Sequence, residues 1–206
     1  VIENAIKSMP AGVRVHIVGG TISVSATVAD QLRAYTNVGS VDRTEGPNRY
    51  ATAAAVARRM KTELEARSET LPTTALITNG SSSAAMFDAL AASAISAHNY
   101  FPILLVRNDS VPGETAAALA DLGLTQRYII GGPVAVSDGV AGTLGVATGD
   151  RIAGANRFAT ATAAATRAKS EGWLSNFSVG FAARIPDAAT GGAFMGKKDG
   201  ALVYVT

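Results

Sequence analysis

The sequence predicts an α/β fold of tandem repeat modules, in which parallel-type sheets are flanked by helices. The first observation is an internal repeat. The segment Arg43–Ala53 returns as Arg151–Ala161, 108 positions later, with seven of its eleven residues identical. The second is an alternation of short apolar runs with helix-forming segments, which favours a sheet wrapped by helices. The runs are continuously apolar, as is typical of strands buried in parallel sheets.

We call these two eleven-residue stretches the anchor segments. In each of them an asparagine, Asn48 or Asn156, precedes an alanine-rich run. Asparagine is a preferred N-cap and alanine is the best helix former, so each anchor segment predicts a loop, a cap and a helix. Gly46 and Gly154 are predicted to lie where the loop needs a permissive backbone.

An arginine, Arg49 or Arg157, follows each predicted cap. The first turn of a helix is an unfavourable place for a positive charge, because the helix dipole is positive there. Two copies of the same unfavourable charge indicate a specific partner. That partner is either a carboxylate elsewhere in the fold or an acidic ligand.

Hydrophobic periodicity and glycine or proline breaks place the other elements along the chain. The expected helices are 1–9, 24–34 with Ser25 as its cap, 49–66, 84–98, 113–122 and 137–144. The expected strands are 13–18, 74–78, 103–106, 127–130 and 202–205. The run 191–200 is expected to lack the alanine-rich helix of 89–97.

Two further alignments extend the repeat. Residues 14–25 align with 126–137, and 87–89 align with 186–188. The pattern divides the chain into the second half of one repeat, 1–42, a complete repeat, 43–150, and the first half of a third, 151–206. The ends at Val1 and Thr206 predict a segment excised from a longer protein.

Composition excludes several classes of function. The 206 residues carry a formal net charge of +2, too small to indicate a nucleic-acid-binding protein. Cysteine is absent, which excludes disulfides and thiolate metal sites. No apolar run approaches the roughly eighteen residues of a transmembrane helix.

The motifs then point to a family. The anchor segment, Phe87–Leu90, Pro102–Leu105 and Ile129–Ser137 occur in that order, and together they resemble the cell-wall-binding repeat type 2 family over essentially the whole chain. The resemblance implies a non-catalytic module of a secreted Gram-positive surface protein or autolysin. It also implies α/β copies packed about a pseudo-threefold axis, and a role for the tract Ile103–Leu105 in wall attachment. A buried strand explains that tract as well.

Candidate ligand-binding residues follow from the repeats. Asp88 and Asp187 are expected at helix starts beside the carboxyl ends of strands, where open α/β sheets bind ligands. An N-terminal carboxylate that stabilises the helix dipole, or pairs with Arg49 or Arg157, is the structural alternative. The remaining candidates are the arginines and hydroxyls of the anchor and serine-rich loops: Arg43, Arg49, Arg151, Arg157, Ser81 and Ser82. Internal pairing or plain solvation explains these too.

Two other features favour ordinary structure. Gly19-Gly20 and Gly131-Gly132 lack the spacing of a dinucleotide fingerprint, so a tight turn is expected rather than a phosphate cradle. His16 and His98 match no catalytic or zinc-binding spacing. We therefore expect no catalytic residues, no metal and no cofactor.

The sequence thus predicts a domain that holds a secreted protein on an anionic or carbohydrate wall polymer. Its expected partners are that polymer, neighbouring repeats of the same parent protein and, through its complementary half-repeats, a second copy of the chain. No nucleic acid and no transmembrane segment are expected. A scaffold that binds other proteins, or an accessory part of a wall hydrolase, is the alternative.

Overall fold

The computed structural model describes residues 2–82, 85–175 and 178–205, which form alternating helices and strands. The helices are α1 Ile2–Lys7, α2 Ala26–Arg33, α3 Arg49–Glu65, α4 Met86–Asn99, α5 Gly113–Asp121, α6 Asp138–Thr143, α7 Arg157–Ser170 and α8 Ile185–Lys197. The strands are β1 Val13–Val18, β2 Val38–Thr44, β3 Thr74–Asn79, β4 Ile103–Val106, β5 Gln126–Ile130, β6 Arg151–Ile152, β7 Ser178–Ala182 and β8 Gly200–Tyr204. A 3-10 turn at Thr148–Asp150 precedes β6.

The strands form three parallel sheets. The central sheet has the order β4-β3-β5-β6, and it is flanked in sequence by the pairs β1-β2 and β7-β8. All the pairings are parallel. The predicted α/β class with parallel sheets between helices is therefore confirmed.

The core is densest around the central sheet. The residues of β3 from Ala75 to Asn79 are all buried, as are Ile129 and Ile130 of β5. On one side of the sheet they pack against α3, α5 and α6, and on the other against α4 and α7. A third cluster joins α4, α7, α8 and β8 through small side chains, mostly alanines. The carboxyl end of β3 and the first turns of α4 and α7 are thus held in place by the surrounding core.

The two anchor segments have the same local structure. Asn48 Oδ1 accepts a hydrogen bond from Ala51 N at 2.9 Å, and Asn156 Oδ1 accepts one from Ala159 N at 3.0 Å. The amides of Gly46 and Gly154 donate to the threonine of the following turn, at 3.0 and 3.1 Å. The predicted caps are therefore present, and the sequence match reflects matching backbone structure.

The reason for the anchor glycines differs from the expected one. Neither glycine has a positive φ. A Cβ at Gly46 would instead lie 2.7 Å from the carbonyl carbon of Ala51 and 2.8 Å from Thr52 N. Gly154 makes the same approach to Ala159 and Thr160. Each glycine lets the loop close onto the first helical turn.

Three expectations about elements were wrong. Strand β1 was expected to be buried, but Ile17 is its one buried residue and Val18 is 58% exposed, because β1 pairs with β2 alone. Strand β2 was not foreseen, since its sequence is polar. Helix α8 continues to Lys197 although glycines interrupt it, because Gly192 and Gly196 pack directly against α4.

Candidate functional site

The carboxyl ends of β3, β5 and β6 meet at a cleft of about 520 Å³, which we call the junction cleft. One wall comes from the end of β3 and the start of α4, a second from the turn Gly132–Ala135, and a third from the second anchor segment. Its lining residues are Asn79, Ser82, Ala85, Asp88, Gly132, Pro133, Val134, Ala135, Gly154, Ala155, Asn156, Arg157 and Thr160. This is the edge at which open parallel sheets bind ligands.

A second cleft, of about 770 Å³, repeats part of this lining, and we call it the open cleft. Gly20–Ser23 replaces Gly132–Ala135, and the first anchor segment replaces the second. The floor is the apolar face of α3 with Ile103 and Leu105 of β4. The carboxylate of the open cleft comes from the first anchor segment: Glu45 lines the cleft, and a Cβ on Gly20 would lie 3.0 Å from Glu45 Oε2.

The carboxyl group of Asp88 is half-buried beneath the turn that follows β5. Burial raises its pKa to about 6, and the positive charge of Arg157 opposes the shift. Gly131 makes room for this carboxyl group: its φ is +128°, and a Cβ there would lie 2.8 Å from Asp88 Oδ2. Any larger residue at Gly131 would displace Asp88 and strain the turn.

Arg157 stacks on the ring of Phe87, with its guanidinium carbon 3.9 Å from the ring centre. The ring is fixed by Tyr204, which packs edge-on at 5.1 Å and donates a hydrogen bond to Phe87 O at 2.6 Å. Burial raises the pKa of Tyr204, so its hydroxyl stays a donor. Among the described residues the Arg157 guanidinium has no hydrogen-bond acceptor and no ion pair within 4.0 Å. Its donors are therefore available to a ligand.

The other anchor arginines bind the backbone. Arg43 donates to Gly19 O at 2.6 Å and Val24 O at 2.8 Å. Arg151 makes the equivalent bonds to Gly131 O at 3.0 Å and Val136 O at 2.9 Å, and it also forms an ion pair with Asp138 at 3.1 Å. These carbonyls belong to the turns that line the two clefts.

Arg49 lines the open cleft and donates to Gly80 O at 2.6 Å. It therefore binds the loop after β3 rather than a carboxylate. Arg157, its counterpart, makes the aromatic contact in place of such a bond.

The three remaining candidate residues are not all brought together. Ser82 lines the junction cleft, and its Oγ accepts from Ala85 N at 3.3 Å. Ser81 turns towards Tyr50, with the two hydroxyl oxygens 3.4 Å apart. Asp187 lies exposed in the first turn of α8 and lines neither cleft. The third serine of this loop, Ser83, lies outside the described residues.

Sequence reasoning missed two contributors to the junction cleft. Asn79 is 6% exposed and donates from Nδ2 to Ala135 O at 2.5 Å, which ties β3 to the turn. Val134 lies on the rim of the cleft with its side chain in solvent. A polar residue at the end of an apolar strand, and an apolar residue repeated within a turn, were the signals available.

The arrangement can bind an anionic, polyhydroxylated group. It offers a cation, a half-buried carboxyl group and hydroxyl and amide side chains in one cleft. In the part of the chain that the structure describes, no group of His, Asp and Glu side chains is placed to hold a metal ion. No described helix has the length and apolar character needed to cross a membrane.

Known proteins resemble this chain in sequence. The family model described as cell wall binding domain 2 (CWB2) matches residues 43–141 and 151–206. The N-acetylmuramoyl-L-alanine amidase LytC of Bacillus subtilis (strain 168) is 32% identical over 189 residues, which cover 92% of this chain and 34% of the amidase.

Two solved structures share the fold. Cwp6 from Clostridium difficile superposes with a TM-score of 0.83 at 24% identity, covering 98% of this chain and 31% of that protein. Cwp8 from the same organism gives a TM-score of 0.75 at 22% identity, covering 95% and 32%. The chain thus spans about a third of the length of each of these relatives.

Proposed function

The chain belongs to the cell wall binding domain 2 family, and we propose that it binds the cell wall at the junction cleft. As a member, it is a cell-wall-binding domain of a protein that resides outside the cell, at the wall. The ligand is an anionic wall polymer or glycan.

The main evidence for this site is the guanidinium group of Arg157. It lies over Phe87 without a protein acceptor among the described residues, and it faces a cleft that also contains Asp88 and Ser82. A guanidinium matches carboxylate and phosphate groups with paired hydrogen bonds. Arg43 and Arg151 support the site indirectly, because they hold the turns of the two clefts.

We further propose the division into 1–42, 43–150 and 151–206. The matching anchor segments and the two similarly lined clefts support it. Copies of one weak site raise the effective concentration for a repetitive polymer, so avidity exceeds single-site affinity by roughly 10²–10⁴.

The partners of the half-repeats are neighbouring repeats of the parent protein. The free edges of β1 and β7, each in a two-stranded sheet, offer places for such contacts. A second copy of the chain is the competing partner. Light scattering over a range of concentrations separates the two, since self-association raises the mean mass with concentration.

The domain itself binds without catalysis in this proposal. The similarity to an amidase favours a parent protein in which the domain is an accessory part of a wall hydrolase. Incubating the domain alone with peptidoglycan should release no fragments. Released fragments would contradict the non-catalytic assignment.

The test is a pull-down with purified Gram-positive cell wall, before and after acid removal of its secondary polymers. Wild-type protein should bind the native wall and lose binding to the stripped wall. R157Q should weaken binding at least about tenfold, the value of a hydrogen bond to a charged group. R33Q is the matched control, since Arg33 pairs with Asp30 on the exposed face of α2.

Equal binding to native and stripped wall would remove the polymer as ligand. Equal binding by R157Q and R33Q would remove the junction cleft as the site. If native wall is not bound at all, the domain acts instead as a scaffold for other proteins.

A further inference from the structure

Each cleft has, at the same place on its rim, a large aliphatic side chain that stands almost entirely in solvent. Ile22 is 103% exposed on the rim of the open cleft, and Val134 is 94% exposed on the rim of the junction cleft. The two are equivalent positions of the aligned segments 14–25 and 126–137. A single exposed apolar residue needs no explanation, but the same exposure at two equivalent rims does.

The turns hold these side chains outward. In the junction cleft the amides of Ala135 and Val136 both donate to Gly132 O, at 2.9 and 3.0 Å. Asn108 Nδ2 donates to Val134 O at 2.6 Å. Two residues after Val134, Val136 is fully buried, so the turn does place an apolar side chain inside where one fits. The exposure of Val134 is thus a fixed feature of the turn.

The flanking positions change between the two turns while the aliphatic character stays. Thr21 aligns with Pro133 and Ser23 aligns with Ala135, but Ile22 aligns with another branched aliphatic residue, Val134. Polar residues are therefore accepted on both sides of this position. The constant property is a branched aliphatic group beside a cleft that carries an arginine.

The junction cleft also contains an amide donor. Asn156 uses its Oδ1 to cap α7, and its Nδ2 has no protein acceptor among the described residues. In the open cleft the equivalent Asn48 donates from Nδ2 to Glu114 at 2.7 Å. The junction cleft alone therefore combines an available guanidinium, an available amide donor and an aliphatic rim.

We propose, on the basis of the function proposed above, that the junction cleft takes an anionic sugar unit that bears an N-acetyl group. The acid group binds Arg157, the acetyl carbonyl accepts from Asn156 Nδ2, and the acetyl methyl packs on Val134. Ile22 makes the corresponding methyl contact in the open cleft. A branched aliphatic side chain suits a methyl group, whereas the ring of Phe87 is already covered by Arg157.

The experiment measures binding of the secondary polysaccharide released by acid from Gram-positive walls. The polysaccharide is used in three forms: native, de-N-acetylated with hydrazine, and re-N-acetylated with acetic anhydride. V134T replaces one methyl group by a hydroxyl at constant shape, in a side chain that makes little packing contact. V28T is the matched control, because Val28 is exposed on α2 and lines neither cleft.

V134T should bind the native and re-acetylated forms about fourfold more weakly than wild type, the value of one methyl group removed from water. It should bind the de-N-acetylated form as wild type does. I22T should have a smaller effect, since Asn48 is already occupied, and V28T should have none.

Several results overturn the proposal. If V134T binds the native polymer as tightly as wild type while R157Q binds weakly, the N-acetyl assignment falls and the wall-binding site stands. If V134T weakens binding by the same factor for all three forms of the polysaccharide, Val134 contacts some part of the polymer other than the acetyl group. If wild type does not bind the native polymer, the proposed function falls together with this inference.

Discussion

At the scale of residues, the four anchor arginines divide into two roles. Arg43 and Arg151 donate to paired backbone carbonyls of the turns beside the clefts. Arg49 and Arg157 begin the helices that follow and line the clefts themselves. Arg43 and Arg151 therefore shape the site. Of the two arginines that line the clefts, Arg157 is the one whose guanidinium has no protein acceptor among the described residues.

Asp88 makes the stability of the fold depend on pH. Its folded pKa of about 6 lies above the ordinary value of 3.8, because burial disfavours the charged form. Between about pH 4 and 6 the folded state holds this proton and the unfolded state releases it, so stability falls as pH rises through this window. D88N cannot ionise and should therefore have the higher Tm at pH 7, and a flatter Tm profile between pH 4 and 6.

The matched control is D187N. Asp187 begins α8 as Asp88 begins α4, but its side chain is exposed. D187N should keep the pH dependence that comes from Asp88, because that carboxyl group is unchanged. If wild type instead gains stability over D88N as pH rises from 4 to 6, the charge of Arg157 outweighs burial at Asp88.

At the scale of elements, α4 and α8 cross at glycines and alanines. A Cβ on Gly196 would lie 2.6 Å from Ala97 Cβ and 2.8 Å from Ala94 O, both on α4. Because the second contact is with backbone, one helix has to move to accept any side chain. The close crossing holds α8 against α4.

G196A should therefore destabilise the protein by about 1–3 kcal/mol, the usual cost of overpacking. Chemical denaturation monitored by circular dichroism measures the change. G142A is the control, since a Cβ on Gly142 of α6 meets nothing within 4 Å. Alanine should stabilise that helix by about 0.5 kcal/mol. Equal effects of the two substitutions would mean that the helices do not cross as closely as described.

At the scale of the whole molecule, burial is uneven. The central sheet has four strands with helices packed on both faces, whereas β1-β2 has two strands and contributes Ile17 as its one buried apolar residue. Two-stranded sheets are marginal by themselves. We therefore expect residues 2–44 to be the least stable part of the described fold.

Hydrogen exchange of the backbone amides measures this difference. The amides of β1 should exchange at least about tenfold faster than those of β5, the equivalent strand of the next repeat, because local opening exposes β1 without breaking the main core. Ile17 and Ile129 occupy equivalent positions and give the direct comparison. Equal protection would show that β1 and β5 open only in a common global unfolding.

The sequence by itself determined the fold class, the repeats, the Asn48 and Asn156 caps and most element positions. These follow from local properties, namely apolar periodicity, cap residues and the spacing of identical segments. The same local information gave the candidate arginines and acids, and it left open what each of them contacts.

Tertiary structure alone decided those contacts. Arg157 and Asp88 share one cleft because α4 and α7, which lie far apart in the chain, pack together. Arg43 and Arg151 bind carbonyls that no sequence pattern identifies as acceptors. Val134 was missed because exposure depends on how a turn is held against its neighbours. Contacts between residues distant in the chain are set by packing, and a linear pattern does not record packing.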